Sequence, residues 1–172
     1  MRFGGEDPAV LGYAAGTLIS IGGDLAVAER LIDHALTLLP SYQPTLFWGG
    51  WVDLARGDPA RARERFELSL RINPAAGVRA YAVTGIGVAC LMEGRFADAY
   101  RLLHEAVEFI PDYPVTLVGF CVAAAMAGEA ADARRAADRI RESGALAAVI
   151  LILQKPEHRA LLEAGIRHAE GL

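Results

Sequence analysis

The side chains able to ligate a metal or act as nucleophiles are few, and their spacing assembles no reactive set. His34, His104, His158 and His168 lie far apart, beside no cysteine or carboxylate at the intervals a zinc or catalytic site needs. They read as solvated surface residues. Cys90 and Cys121 make no disulfide framework, and a reactive thiol needs an exposed, electropositive setting. Both read as small core residues. The glycine-rich stretch GGEDPAVLGYAAGT (4–17) contains neither GxxxxGK[ST] nor GxGxxG after a strand. Two basic stretches, Arg61/Arg63/Arg65 and Arg134/Arg135/Arg139/Arg141, are interleaved with Glu64, Glu67, Asp132, Asp138 and Glu142, and read as solvated outer faces. No nucleophile, base and orienting group can be put together. The chain is therefore expected to be no enzyme, with no metal and no cofactor.

The chemistry that remains is recognition by apolar and aromatic surface. LFWGGW (46–51) places Phe47, Trp48 and Trp51 around two adjacent glycines. Residues three and four apart share a helix face, so Phe47–Trp51 and Trp48–Trp51 cluster. Each interior glycine costs a helix about 1 kcal/mol relative to alanine. A helix that carries Gly49 and Gly50 mid-span is either packed unusually closely there or locally weak.

The whole chain bounds that reading. Its 172 residues suggest one domain or one array of small repeats. Apolar residues make up 53%, enough for a helical core plus buried interfaces. The net charge of −4 argues against nucleic acid, which wants a basic face. No stretch reaches the ~18 apolar residues that span a bilayer, and MRFGGEDPAV has no signal-peptide core. A cytoplasmic location is expected, with neither membrane nor nucleic acid as partner.

The elements that position the aromatics show themselves by punctuation. Pro40, Pro74 and Pro111 follow helical segments and lie 34 and 37 residues apart. Gly23, Gly57, Gly94 and Gly128 mark turns in the same register, as do Ala28, Ala62, Ala99 and Ala133. Both marker sets share a three-residue insertion near AAGVR (75–79). Helices are expected at about 8–21, 44–56, 79–93 and 114–127, alternating with 24–38, 58–72, 95–109 and 129–142. Asp24 and Asp58 are placed to cap helix starts, and Pro59 takes a first helical position. No strand is predicted.

This period, with a turn in the middle and a proline at the end, resembles the tetratricopeptide repeat (TPR). Ala62, Phe66, Ser69 and Pro74 occupy the family's A, F, A and P places. Ala28, Ile32, Ala35 and Pro40 do so in the first unit, and Ala99, Leu103, Ala106 and Pro111 in the third. The fourth has Ala133, Ala137 and Ile140 and lacks the proline. Gly16, Gly50, Gly87 and Cys121 fall on the small residue of each first helix. The consensus tryptophan and tyrosine are absent, and Gly49 stands where leucine is usual. The resemblance implies an all-α, right-handed superhelix of about four helix-turn-helix units plus a C-terminal capping helix. The units run about 9–42, 43–76, 80–113 and 114–145 within an array over 1–145. Residues 146–172 form a capping segment and helix that hides the last apolar face or fills the groove.

In that family the first helix of each unit lines the concave surface. The register then points to Tyr13, Thr17, Phe47, Trp51, Leu54, Tyr81, Thr84, Val88, Val118 and Val122 as a partner-binding groove. The resemblance implies a protein or peptide partner. The charged side chains with which chaperone-binding relatives hold a terminal carboxylate are missing, so an apolar peptide or helix is the expected occupant. The alternative is homo-oligomerisation through the groove or tail, giving a homodimer. The competing reading of the same stripe is plain core.

A narrower resemblance is to the C-terminal TPR region of bacterial class III adenylate cyclases and related winged-helix regulators. It is carried by the order GGD…A…ID-x-AL-x-L-x-P, then GW…GD…A…FE…, and by the tail residues Leu161, Leu162, Glu163, Ile166, Arg167 and Leu172 of LLEAGIRHAEGL, with a shifted glycine. It implies the regulatory tail of a signalling protein. Met1 is then either native or a start within a longer chain.

Overall fold

The computed structural model describes residues 6–172, so the first five residues of the expected array lie outside it. The described residues form ten α-helices: α1 (Pro8–Ser20), α2 (Leu25–Leu38), α3 (Gln43–Arg56), α4 (Pro59–Ile72), α5 (Ala76–Met92), α6 (Phe96–Phe109), α7 (Pro114–Ala127), α8 (Ala130–Ser143), α9 (Ala145–Ile152) and α10 (Pro156–Gly171). The fold is the expected all-α solenoid.

Local chemistry sets these boundaries. Asp24 Oδ1 accepts from the amides of Ala26 and Val27, and Asp58 Oδ1 from that of Arg61. Asp7 caps α1 in the same way through Ala9. Pro8, Pro59 and Pro114 each open a helix, where a missing N–H does no harm. Gly57 and Gly128 close α3 and α7 in the left-handed conformation. The insertion near 75–79 is absorbed into helix: α5 begins at Ala76, three residues before the expected start, and has 17 residues where most of its neighbours have 14.

Consecutive helices pair α1 with α2, α3 with α4, α5 with α6 and α7 with α8, and the odd helices also pack side by side. Residues at the repeat's A, F and A places bury completely between the layers: Ala28, Ile32 and Ala35; Ala62, Phe66 and Ser69; Ala99, Leu103 and Ala106. Burying a side chain such as Leu103 or Phe66 contributes roughly 1.5–3 kcal/mol.

The tail forms two helices where one was expected. Both α9 and α10 pack on α7; α9 also reaches α1, and α10 also reaches α8. Val149, Leu153, Leu162, Ile166 and Ala169 are buried there. Gly165 lies so close to Val122 that a β-carbon would overlap that side chain.

Candidate functional site

Helix α3 carries LFWGGW, and two of its neighbours explain the two glycines. A β-carbon on Gly50 would lie 2.7 Å from Cζ of Phe66, whose ring also abuts Gly85 of α5. Phe66 thus rises from α4 into a slot between two glycines on adjacent odd helices. Gly49 faces Arg65, whose guanidinium occupies the space a β-carbon would take. Arg65 passes over Gly49 to Asp53, one turn further along α3, with Nε 3.2 Å from Oδ2. Arg61 Nε stands 3.7 Å from the other oxygen.

Asp53 is 2% exposed. Burial pushes its carboxyl up to about 6, against the pull of Arg65 and Arg61. Burial in turn lowers Arg65. The reading of Arg61, Arg63 and Arg65 as one solvated face is therefore corrected at Arg65, whose side chain is 11% exposed. The signal in the sequence was an aspartate on the apolar face of α3, four residues after a glycine that has room for a long cation.

The rest of the aromatic cluster opens outward. Tyr13, Phe47, Trp48, Tyr81 and Tyr113, with Gln43, Pro44 and Val78, line a cavity of about 380 Å³. It sits at the N-terminal ends of the odd helices: Gln43 and Pro44 begin α3, Val78 and Tyr81 lie in the first turns of α5, and Tyr113 is the cap of α7. The rings meet edge to face, Tyr13–Trp48 at 6.2 Å, Phe47–Trp48 at 5.2 Å and Tyr81–Tyr113 at 5.0 Å. No Asp, Glu, Lys or Arg is among the lining residues. Trp48 lies flat against Gly16, where a β-carbon would meet its ring. Burial raises the Tyr113 hydroxyl above the usual tyrosine value, and the neighbouring Tyr81 adds to that shift.

Of the ten residues expected to face a groove, Tyr13, Phe47 and Tyr81 line this cavity. Thr17 is exposed on α1, its hydroxyl donating to the Tyr13 carbonyl. The other six are buried. Trp51 packs edge to face on Phe66, 5.3 Å between ring centres, and Leu54, Val88, Val118 and Val122 lie in the core. Thr84 shares a 2.7 Å hydrogen bond with Thr116 that ties α5 to α7. Trp51 and Thr84 are closed by neighbours within the array, and at α7 the wall is closed by the chain's own tail, which packs on that helix. Leu151 abuts Gly22, Gln154 Nε2 donates to the Gly23 carbonyl at 3.0 Å, and Gly165 seats on Val122. Gln43, Pro44, Trp48, Val78 and Tyr113 were missed. The signal for Tyr113 was an aromatic directly before a helix-opening proline, in YP (113–114).

His158, on α10 of this tail, is buried, which corrects its reading as a solvated residue. Burial lowers its pKa, with the Leu54 backbone pulling the other way. His34, His104 and His168 are exposed. Cys90 and Cys121 are buried, and burial pushes both thiols up, Cys121 to about 12. Among the described residues no group of three or more His, Cys, Asp or Glu could hold a metal ion, and no helix is long and apolar enough to cross a membrane.

A tetratricopeptide repeat family model matches residues 91–155. Solved structures share the fold. PilW, described as a widely conserved type IV pilus biogenesis factor, is 16% identical with a TM-score of 0.68, over 94% of this chain and 77% of that one. YrrB, a TPR protein with an unusual peptide-binding site, is 21% identical with a TM-score of 0.59, over 95% and 85%. A TPR protein from Parabacteroides merdae ATCC 43184 is 16% identical with a TM-score of 0.65, over 96% and 65%. No curated protein matches. The class is an α-solenoid with the tetratricopeptide-repeat fold, a fold that generally serves as a protein–protein interaction module.

Proposed function

We propose that this chain is a non-enzymatic interaction module that binds an apolar segment of a protein partner at the open, aromatic end of its odd-helix face. One observation carries the reading. The tail packs on α7 and reaches α1, while the N-terminal ends of the odd helices keep a 380 Å³ cavity walled by five aromatic rings and no charge. Large rings in a concave, uncharged setting are the usual anchors of a recognition site. Tyr13, Phe47 and Tyr81 would contact the partner directly. Thr17 would flank it, and Trp51, Leu54, Thr84, Val88, Val118 and Val122 would hold the wall in place. The division into an array over 1–145 and a closing segment over 146–172 belongs to this proposal, as do a cytoplasmic location and a role as the regulatory tail of a cyclase-like signalling protein.

The test is a titration with uncharged peptides, followed by tryptophan emission. Trp48 borders the cavity and Trp51 is buried, so a ligand should perturb the first. Saturable binding that Tyr81→Ala weakens supports the reading; no peptide binding at all would sink it.

Self-association is the second reading. Ile140, Leu146, Ala147, Ile150 and Ile166 line an apolar recess between α8, α9 and α10, and Leu151 is 45% exposed. Light scattering across a concentration range decides: a chain that stays monomeric excludes this use of the tail.

A further inference from the structure

We propose that the segment held by the aromatic cavity is uncharged, proline-containing and in the polyproline II conformation, an inference that rests on the interaction reading above. The cavity's size favours one class of occupant. An α-helix with its side chains is about 10–12 Å across, whereas a recess of about 380 Å³ matches a few residues of extended chain.

Hydrogen-bonding capacity selects among extended chains. The cavity offers the phenols of Tyr13, Tyr81 and Tyr113, none of which has a hydrogen-bond partner among the described residues. Gln43 Nε2 donates one N–H to Ser69 Oγ, at 2.8 Å. The backbone around the cavity is helical, so there is no strand edge to which a β-strand could pair. The site offers phenol donors to peptide carbonyls, and its only acceptors among the lining side chains are the phenol oxygens and the Gln43 carbonyl, with no backbone ladder to take a row of N–H groups. An ordinary extended peptide brings one N–H per residue, and each desolvated donor left unmet is costly. Proline brings none. A polyproline II chain presents carbonyls that make no internal hydrogen bonds, and phenol hydroxyls can donate to those.

Shape and charge agree. Tyr13, Phe47 and Trp48 form one wall and Tyr81 with Tyr113 the other, each built of rings set edge to face. Flat pyrrolidine rings fit between such walls, and a chain already stiff in this conformation loses little entropy on docking. With no charged lining residue, neither a terminal carboxylate nor a basic segment finds a counter-ion.

The experiment is calorimetric titration of the whole chain with octaproline blocked at both ends. The control is a blocked octapeptide with alternating leucine and glutamine. The same titrations use the double variant Tyr13→Phe/Tyr81→Phe, which keeps both rings and removes two donors. Octaproline should bind, the control should not, and the double variant should bind octaproline about tenfold more weakly, as loss of two modest hydrogen bonds implies. Binding of the control alone would overturn the polyproline inference and leave the interaction reading standing. Binding of neither peptide would overturn both. Octaproline binding that the double variant leaves unchanged would overturn the assignment of these phenols and of the cavity.

Discussion

Arg65 of α4 crosses Gly49 of α3 and sets its Nε 3.2 Å from Oδ2 of the buried Asp53. Three residues on two helices thus depend on one missing side chain. Asp53 and Arg65 neutralise each other where water is largely excluded, and Gly49 supplies the passage. An alanine at 49 would improve helix propensity by about 1 kcal/mol yet displace the cation. Gly49→Ala is expected to destabilise the wild-type background and to be neutral or better in an Arg65→Ala background. A double-mutant cycle by urea unfolding measures this coupling; simple additivity would refute the passage role.

The same pair predicts a pH dependence. Asp53 is held at about 6, above its ordinary 3.8, so the native state binds the extra proton between those values. Its contribution to stability is full below about 4 and is lost as pH rises through 6. Arg65→Ala removes the chief opposing pull and moves Asp53 further up. The variant should lose about 3–5 kcal/mol at pH 8, where a buried charge stands with only Arg61 nearby. At pH 5 the loss should be smaller, because the carboxyl is protonated. Equal losses at both pH values would contradict this.

Phe66 between Gly50 and Gly85 makes a second steric prediction. Gly50→Ala should destabilise by about 1–3 kcal/mol through overpacking, propensity notwithstanding. Pairing it with Phe66→Leu, which clears the slot, should recover part of the loss. Thermal unfolding of the three variants gives the answer, and a stabilised Gly50→Ala would rule the wedge out.

The tail's closure over α7 can be opened at one point. Gly165→Leu would drive a side chain into Val122 and should free α10. Hydrogen exchange of α10 and of the Val118–Val122 stretch should rise, with α2 and α4 unchanged. Acid should loosen the tail too. Burial lowers His158, so its contribution is present above about 6.5 and falls as pH drops through the native value. Protection of α10 that is unaltered between pH 7.5 and 5 would exclude that role.

Solenoid geometry was legible in the sequence because it rests on local and near-neighbour physics. Aspartate caps, helix-opening prolines, closing glycines and small residues every 34 or 37 positions act within a turn or between adjacent helices. That is why eight helices fall within three residues of their expected bounds and why Gly50 was recognisable as a close-packing site. The register of the tetratricopeptide resemblance also pointed to Tyr13, Phe47 and Tyr81, which line the open cavity. Other features belong to the tertiary structure alone. Gly49 has a purpose only once Arg65 arrives from another helix. Trp51 is core because Phe66 of α4 and Phe47 close around it, and Val118 and Val122 are core, not open wall, because α10, more than thirty residues downstream in sequence, packs back on α7. His158 is buried for the same reason. Repeat periodicity fixes which faces meet nearest neighbours; only the closed chain decides which remaining surface stays exposed to a partner.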